Sequence, residues 1–229
     1  MTEIELLDPP CTVQVRTRAT ARRFTLRLSP SGDGAVLTQP PGVAASDTQA
    51  FLTEHAGWLR RALERQPEVV TVRHGARLPV DGTAYIVDVQ DGPRRPPMLE
   101  DHRLVLRGTG NEGRRVAQWL KLRARDRLAP AVKHYAAQVD RHVARVALRD
   151  TRSRWGSCST TGTVSFSWRL AMAPVDVQEY VAAHEAAHLV EMNHSPRYWA
   201  VVARLMPDWK PRRDWLRRHG RELHLYRFD

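Results

Sequence analysis

The sequence of 229 residues holds only two cysteines, Cys11 and Cys158, far apart and without CxxC spacing. That excludes a disulfide framework and a cysteine zinc knuckle. Long apolar runs are missing too, so no membrane span is expected. The opening Thr2-Glu3-Ile4-Glu5 carries neither the basic segment nor the apolar stretch of a secretion signal. Unpaired thiols then suit a reducing cytoplasm, and a cytoplasmic location is expected. No internal repeat or low-complexity tract is present, and no basic stretch is interleaved with aromatics as a base-stacking platform.

What is abundant is positive charge, a net +11 with an isoelectric point near 10.7. Such a balance favours polyanions, nucleic acid above all, through weakly sequence-specific and salt-dependent contacts. Arg114-Arg115, Arg123, Arg125 and Arg127 form one cluster that could track phosphates; Arg212-Arg213, Arg217-Arg218 and Arg221 form another. Solvated helix faces would look the same, and arginine dominates lysine throughout. A hydrophobic content of 42% is sufficient for a packed core.

The first third reads as strands: Val13 and Val15, then Phe24, Leu26 and Leu28 in alternation, then Val36 and Leu37 after a Gly32-Asp33-Gly34 turn. A helix follows, with Ser46 and Gln49 in capping-box spacing and Phe51, Leu52, His55, Trp58, Leu59 and Leu63 at helical intervals. His55 belongs to that half-buried face and is not read as a ligand. Another strand pair is expected over 84–89 and 103–106, separated by an exposed loop from Asp91 to Pro97. From Glu112 to Val143 the pattern is helical, with Val116, Trp119, Leu120, Leu128 and Val132 on one stripe and Pro130 predicting a kink or break. The composition there is not that of a flexible linker, so this helix bridges two tightly packed lobes or one compact unit. A hairpin is expected next: Ser153 to Cys158, a turn at Thr160-Thr161-Gly162, then Val164, Phe166, Trp168 and Leu170 alternating. Trp155 and Trp168 read as core anchors, and Gly156 as a point of close packing.

The stretch that carries chemistry is His184-Glu185-Ala186-Ala187-His188. On a helix turning roughly 100° per residue the two histidines lie about 40° apart on one face, and both can ligate one metal ion. Glu185 stands beside that face, where its carboxylate can serve water held at the metal as general base. Apolar Val177, Tyr180, Val181, Ala183, Ala187 and Val190 bury the helix, and two buried imidazoles require partners. His194 is the candidate third ligand. On an unbroken helix it would point about 120° away from His188, so the chain is expected to leave the helix between Met192 and His194, with Asn193 suited to a left-handed exit. Ser195-Pro196 reads as N-cap and first residue of a new helix. Glu191, on the face of His184 and His188, is the rival, as ligand or as an acceptor orienting an imidazole. A thiolate from Cys158 would fill the open position that catalysis needs.

These residues also carry a family resemblance. Ser153-Arg154-Trp155-Gly156-Ser157-Cys158, Trp168-Arg169-Leu170, Ala173-Pro174, Tyr180-Val181, His184-Glu185, His188-Leu189, Asn193-His194-Ser195, Trp199 and Met206-Pro207-Asp208 together resemble the YgjP-like family. Ala186-Ala187 stands where bulkier residues are common, and Tyr198 where phenylalanine often precedes the tryptophan; neither departure removes a ligand. The resemblance is dense over residues 150 to 216. It implies a zinc metallopeptidase or metal-dependent hydrolase similar to SprT-like and WLM proteases, which act on proteins crosslinked to DNA.

The reading is therefore an α+β protein. A β-rich N-terminal lobe with a helix spans 1–110, and a zincin-like metallopeptidase lobe spans 111–229, entered through the long bridging helix. Zinc is held by His184, His188 and His194, and Glu185 is the base. In zinc peptidases of this general architecture, a strand just before the HExxH helix can offer an open edge to an extended substrate. Here that edge would be Gly156-Ser157-Cys158, with Arg154, Arg197 and Tyr198 as candidate donors to the oxyanion. The expected partner is a protein or peptide, with nucleic acid as a possible second. Two other classes stay open: a nucleotide phosphohydrolase recruiting Arg154 and Arg169, which no phosphate-binding glycine loop supports, and a non-catalytic zinc-containing module that binds nucleic acid.

Overall fold

The computed structural model describes residues 2–29, 34–64 and 68–229. It is a mixed α+β structure of two compact units, Met1–Val69 and Val70–Asp229.

In the first unit β1 (Thr2–Leu7), β2 (Pro10–Thr17), β3 (Thr25–Leu28) and β4 (Gly34–Gln39) precede α1 (Ala45–Glu54) and α2 (Ala56–Glu64). The sheet order is β1-β2-β4-β3, with β2 and β4 parallel. Alternation does what a half-buried sheet requires: Val13, Val15 and Leu37 turn inward against Leu52 and Leu59 of the helices. Of the expected turn before β4, Gly32 and Asp33 lie outside the described residues. The single helix expected from Ser46 is two helices, and α1 begins at Ala45 behind an Ala44 N-cap without side-chain bonding, so the capping box is not used. His55 closes α1; its ring lies 4.0 Å from that of Phe51, and its Nδ1 faces the Phe51 carbonyl.

The second unit opens with β5 (Val70–Thr71), which pairs with the last strand of the chain. Then come β6 (Arg77–Val80), β7 (Thr83–Gln90), β8 (Met98–Glu100) and β9 (Arg103–Arg107), in sheet order β6-β7-β9-β8. The two expected strands run parallel to each other as β7 and β9. The β6–β7 hairpin turns on Asp81 and Gly82 at φ 49° and 82°, the left-handed pair that suits a tight two-residue hairpin. Leu78, Val87, Leu104 and Leu106 share one core with Val116 and Leu120 of α3 (Glu112–Ala137). The boundary expected near residue 110 therefore falls inside this unit. Helix α3 runs through Pro130 without stopping and ends at Ala137, short of the expected Val143.

Past α3 lie β10 (Arg145–Arg149), β11 (Gly156–Cys158) and β12 (Thr163–Ser167), in sheet order β10-β12-β11. The hairpin expected here forms, but its second strand stops at Ser167. Trp168–Met172 is a buried 3₁₀ helix rather than a continuation of the alternating strand. The chain continues through α4 (Val175–Ala187), α5 (Pro196–Leu205), α6 (Trp209–His219), a 3₁₀ helix over Gly220–His224 and β13 (Tyr226–Arg227). Helix α4 is packed by α3, α5, α6 and β11, and it has no solvated face to spare. This explains its run of Ala, Val and Tyr. Among the described residues no helix is long and apolar enough to cross a membrane.

Candidate metal centre

His184 and Glu185 sit in the last turn of α4, and His188 caps it. The helix thus ends four residues before the expected exit. Leu189 and Val190 donate to the carbonyls three residues back, tightening the end into a turn. Asn193 does not take the left-handed conformation; its side-chain oxygen instead accepts from the Ser195 amide at 3.3 Å. Ser195 caps α5, accepting from the Tyr198 amide, with Pro196 at the first position. Two short turns therefore fold 189–195 back over the helix end and bring His194 to His184.

One ring nitrogen from each of His184, His188 and His194 lies within 4.8 Å of the others. Nε2 of His184 and Nε2 of His194 are 3.2 Å apart. Two nitrogens each about 2.0–2.1 Å from a tetrahedral ion are separated by about 3.3 Å, so this pair is already spaced for a shared ion. In His184 and His188 the other ring nitrogen is held: His188 Nδ1 lies 3.0 Å from the Glu191 carbonyl and His184 Nδ1 lies 3.4 Å from the Tyr180 hydroxyl. An Nδ1–H donated to each acceptor leaves Nε2 bare, the tautomer a metal ligand needs. Glu191 thus acts through its backbone, orienting an imidazole. Burial, with the other two imidazoles adding, pushes His184 down to about 3, and burial lowers His188 as well, so both are neutral and able to donate. The donor set fits a divalent metal ion.

Glu185 points the other way around the helix, toward β11. It is 3 % exposed, and its Oε2 is buried without a hydrogen-bond partner. Burial pushes its carboxyl up to about 8, against the opposing pull of Arg154. Space for it exists because residue 156 is glycine: a β-carbon there would collide with the Glu185 carboxylate.

The family model described as YgjP-like, metallopeptidase domain, matches residues 22–219. The chain belongs to this family. No curated protein matches the sequence. Among solved structures, the metallopeptidase zymogen of Pyrococcus abyssi abylysin is similar at 20% identity, over 41% of this chain and 92% of its own, with a TM-score of 0.36.

In this YgjP-like chain the candidate metal centre opens on a cleft of about 900 Å³, lined among others by Arg154, Gly156, Ser157, Cys158, Glu185 and all three histidines. Strand β11 is an edge strand whose pairing is to β12 alone among the described residues, and it flanks the centre. Three expectations are corrected. Tyr198 is fully buried and its hydroxyl donates to the His184 carbonyl at 3.0 Å, so it braces the helix end instead of facing substrate. Arg197 does not line the cleft. Arg169 is buried, bound to Asp150 and to the carbonyls of Leu223 and Tyr226, which leaves it no reach toward a phosphate. Both tryptophans pack as anchors: Trp155 stacks on His224 and Trp168 meets Phe228 edge-on. Burial holds the Cys158 thiol up at about 11, Glu185 adding to it, and the group of converging ligand atoms is His184, His188 and His194, without Cys158. Sequence reasoning missed Arg213 as a cleft residue. Its signal was present in the i, i+4 pair Arg213 and Arg217 on one face of α6.

Proposed function

We propose that the chain is a zinc-dependent peptidase. His184, His188 and His194 hold the metal, and Glu185 is the general base. One observation carries this reading: three imidazole nitrogens converge beside a buried carboxylate that has no partner of its own, at the floor of an open cleft. Three neutral imidazoles suit zinc, and three protein ligands leave a position for substrate or water. When bound, the ion would supply Lewis acidity, acidifying water and polarising the scissile carbonyl.

The chain's own residues do the rest. Tyr180 and the Glu191 carbonyl hold the tautomers of His184 and His188. A positive charge at the histidines would draw the Glu185 carboxyl down from about 8 toward ionisation at neutral pH. The carboxylate then accepts a proton from the attacking water and returns it to the leaving amine, so no net proton is consumed at Glu185. An extended substrate adds along the β11 edge by backbone hydrogen bonds, with Gly156 and Ser157 against it and Arg154 within the cleft. In this reading β11, β12 and α4 form a zincin-like lobe within 111–229. DNA-associated proteins are a candidate substrate group, in keeping with the +11 charge. A cytoplasmic site of action accords with two free thiols.

The test is metal stoichiometry together with mass-spectrometric detection of cleavage products from a protein substrate, with and without single-stranded DNA. Glu185→Gln should keep one metal per chain and lose turnover, whereas His188→Ala should lose both. Full activity in Glu185→Gln would refute the base assignment. Verified metal without any cleavage would favour a non-catalytic metal site.

A further inference from the structure

Five arginines line the cleft beside the three histidines: Arg152, Arg154, Arg213, Arg217 and Arg221. The one acidic side chain among the lining residues is Glu185, which the proposed chemistry occupies. No ion pair among the described residues engages any of the five, whereas nearby Arg212 pairs with Asp176 and Asp208, and Arg169 with Asp150. The cations come from two sides of the cleft. Arg152 and Arg154 precede β11, while Arg213, Arg217 and Arg221 recur at four-residue spacing along α6 and the 3₁₀ helix after it.

Arg213 is the most firmly placed. Its guanidinium carbon lies 4.7 Å from the Trp199 ring centre and 5.6 Å from that of Trp209, and Trp199 in turn stacks on His194 at 5.8 Å. A half-buried cation is thus fixed by aromatic faces against the ring that backs a candidate ligand, with no anion opposite it. Nor is the excess spread evenly along the chain. Residues 1–69 contain eight Arg or Lys and eight Asp or Glu, so the whole +11 resides in 70–229.

The chemistry that completes such a cleft is carboxylate, which pairs with guanidinium through two parallel hydrogen bonds. A nucleic acid strand fits less well, because it needs open ring faces on which bases can stack. Here Trp155 is stacked against His224, and Trp199 is stacked against both Trp209 and His194. The free β11 edge, by contrast, matches the backbone of an extended peptide. We propose that the cleft selects polypeptides with Asp or Glu flanking the scissile bond, one carboxylate meeting Arg213 and Arg217 and another meeting Arg152 and Arg154. This selection rests on the peptidase reading above.

The test uses the full-length, zinc-loaded Glu185→Gln protein and fluorescein-labelled peptides identical except for Glu, Gln or Lys at the flanking positions, with binding read by anisotropy. At low ionic strength the Glu peptide should bind about tenfold more tightly than its Gln twin, and the advantage should shrink as salt is added. Arg213→Ala should reduce the preference, leaving the part that Arg152 and Arg154 supply. Arg217→Glu, a change at an exposed position, should narrow the gap between the Glu and Lys peptides by improving binding of the Lys peptide, which loss of packing alone would not do. Equal binding of the Glu and Gln peptides overturns the proposal. So does a single-stranded oligonucleotide that displaces the Glu peptide more tightly than unlabelled Glu peptide does, with the same arginine dependence; the cleft would then be a nucleic-acid groove. Wild-type protein is run on the same peptides. Cleavage without charge preference refutes the selection alone, and charge-selective binding without cleavage refutes the peptidase reading alone.

Discussion

Gly156 and Glu185 occupy one space between them. A methyl group at position 156 would lie within 2.6 Å of the Glu185 Cγ and nearer still to its carboxylate. Since Glu185 is almost fully buried, it cannot simply swing into water. Gly156→Ala should therefore shift the carboxylate by an ångström or so and lower kcat by about a hundredfold. Metal stoichiometry should stay at the wild-type value, which separates misplacement from loss of the centre. His224 makes a different prediction. Burial, helped by Arg169, holds it down to about 4 from 6.5, and its Nδ1 is buried without a partner. The unfolded chain takes up that proton near pH 6.5, while the folded chain refuses it until about 4. Its stabilising contribution is whole above 6.5 and is lost as the pH falls through this window. Thermal melts from pH 7 to 4 should show a shallower decline for His224→Phe, which keeps a ring against Trp155. The pairing of Gly156 with Glu185 was not legible in sequence. The glycine stood within a recognisable motif, yet its contact joins a strand edge to a helix twenty-nine residues on.

At the scale of the elements, the candidate third ligand depends on two caps. Helix α4 ends where His188 turns its Nδ1 to the Glu191 carbonyl, and α5 begins where Ser195 accepts the Tyr198 amide at 3.3 Å. The segment between these anchors holds His194. Ser195→Ala should cost about 1 kcal/mol of stability, the ordinary worth of an N-cap. It should also weaken metal affinity by about tenfold, as loss of a supporting contact does at other metal sites, measured by competition with a chromogenic chelator. The cap itself was readable, because Ser-Pro at a helix start is a local signal. The helix exit was not. Periodicity continued through Val190, and only the capture of Glu191 by His188 shows that the helix had already closed. The strand expected to run on through Trp168 failed for a similar reason. Its alternation persists, but Arg169 is drawn inward to Asp150 and two carbonyls, and that requires a 3₁₀ turn.

For the whole molecule, the division of the chain assigns the chemistry to one unit. Residues 70–229 hold their own extensive core, from Leu78 and Leu104 through Leu120 and Phe166 to Tyr198. All three histidines, Glu185 and the arginine-lined cleft belong to the same unit. A fragment spanning 70–229 should fold with a cooperative melt and bind one metal per chain. A non-cooperative transition by circular dichroism would show that residues 1–69 are needed for its structure. The expected boundary at 110 came from a change of local pattern, strands giving way to a long helix. Whether such a change separates units depends on which side chains share a core, and β6, β7 and β9 share theirs with α3.

The sequence by itself determined the family, the mixed α+β class, the helix bearing His184 and Glu185, and the candidate ligand set. Each of these is written in local spacing, and helical periodicity and motif spacing survive without any knowledge of distant contacts. Only the tertiary structure decided the rest. It brought His194 within 3.2 Å of His184, gave Glu185 the space at Gly156, enclosed Tyr198 behind the helix end, and gathered arginines from 152 to 221 around one cleft. Those outcomes depend on side chains far apart in the chain competing for the same volume and the same hydrogen bonds, and such competition is settled only when the core closes.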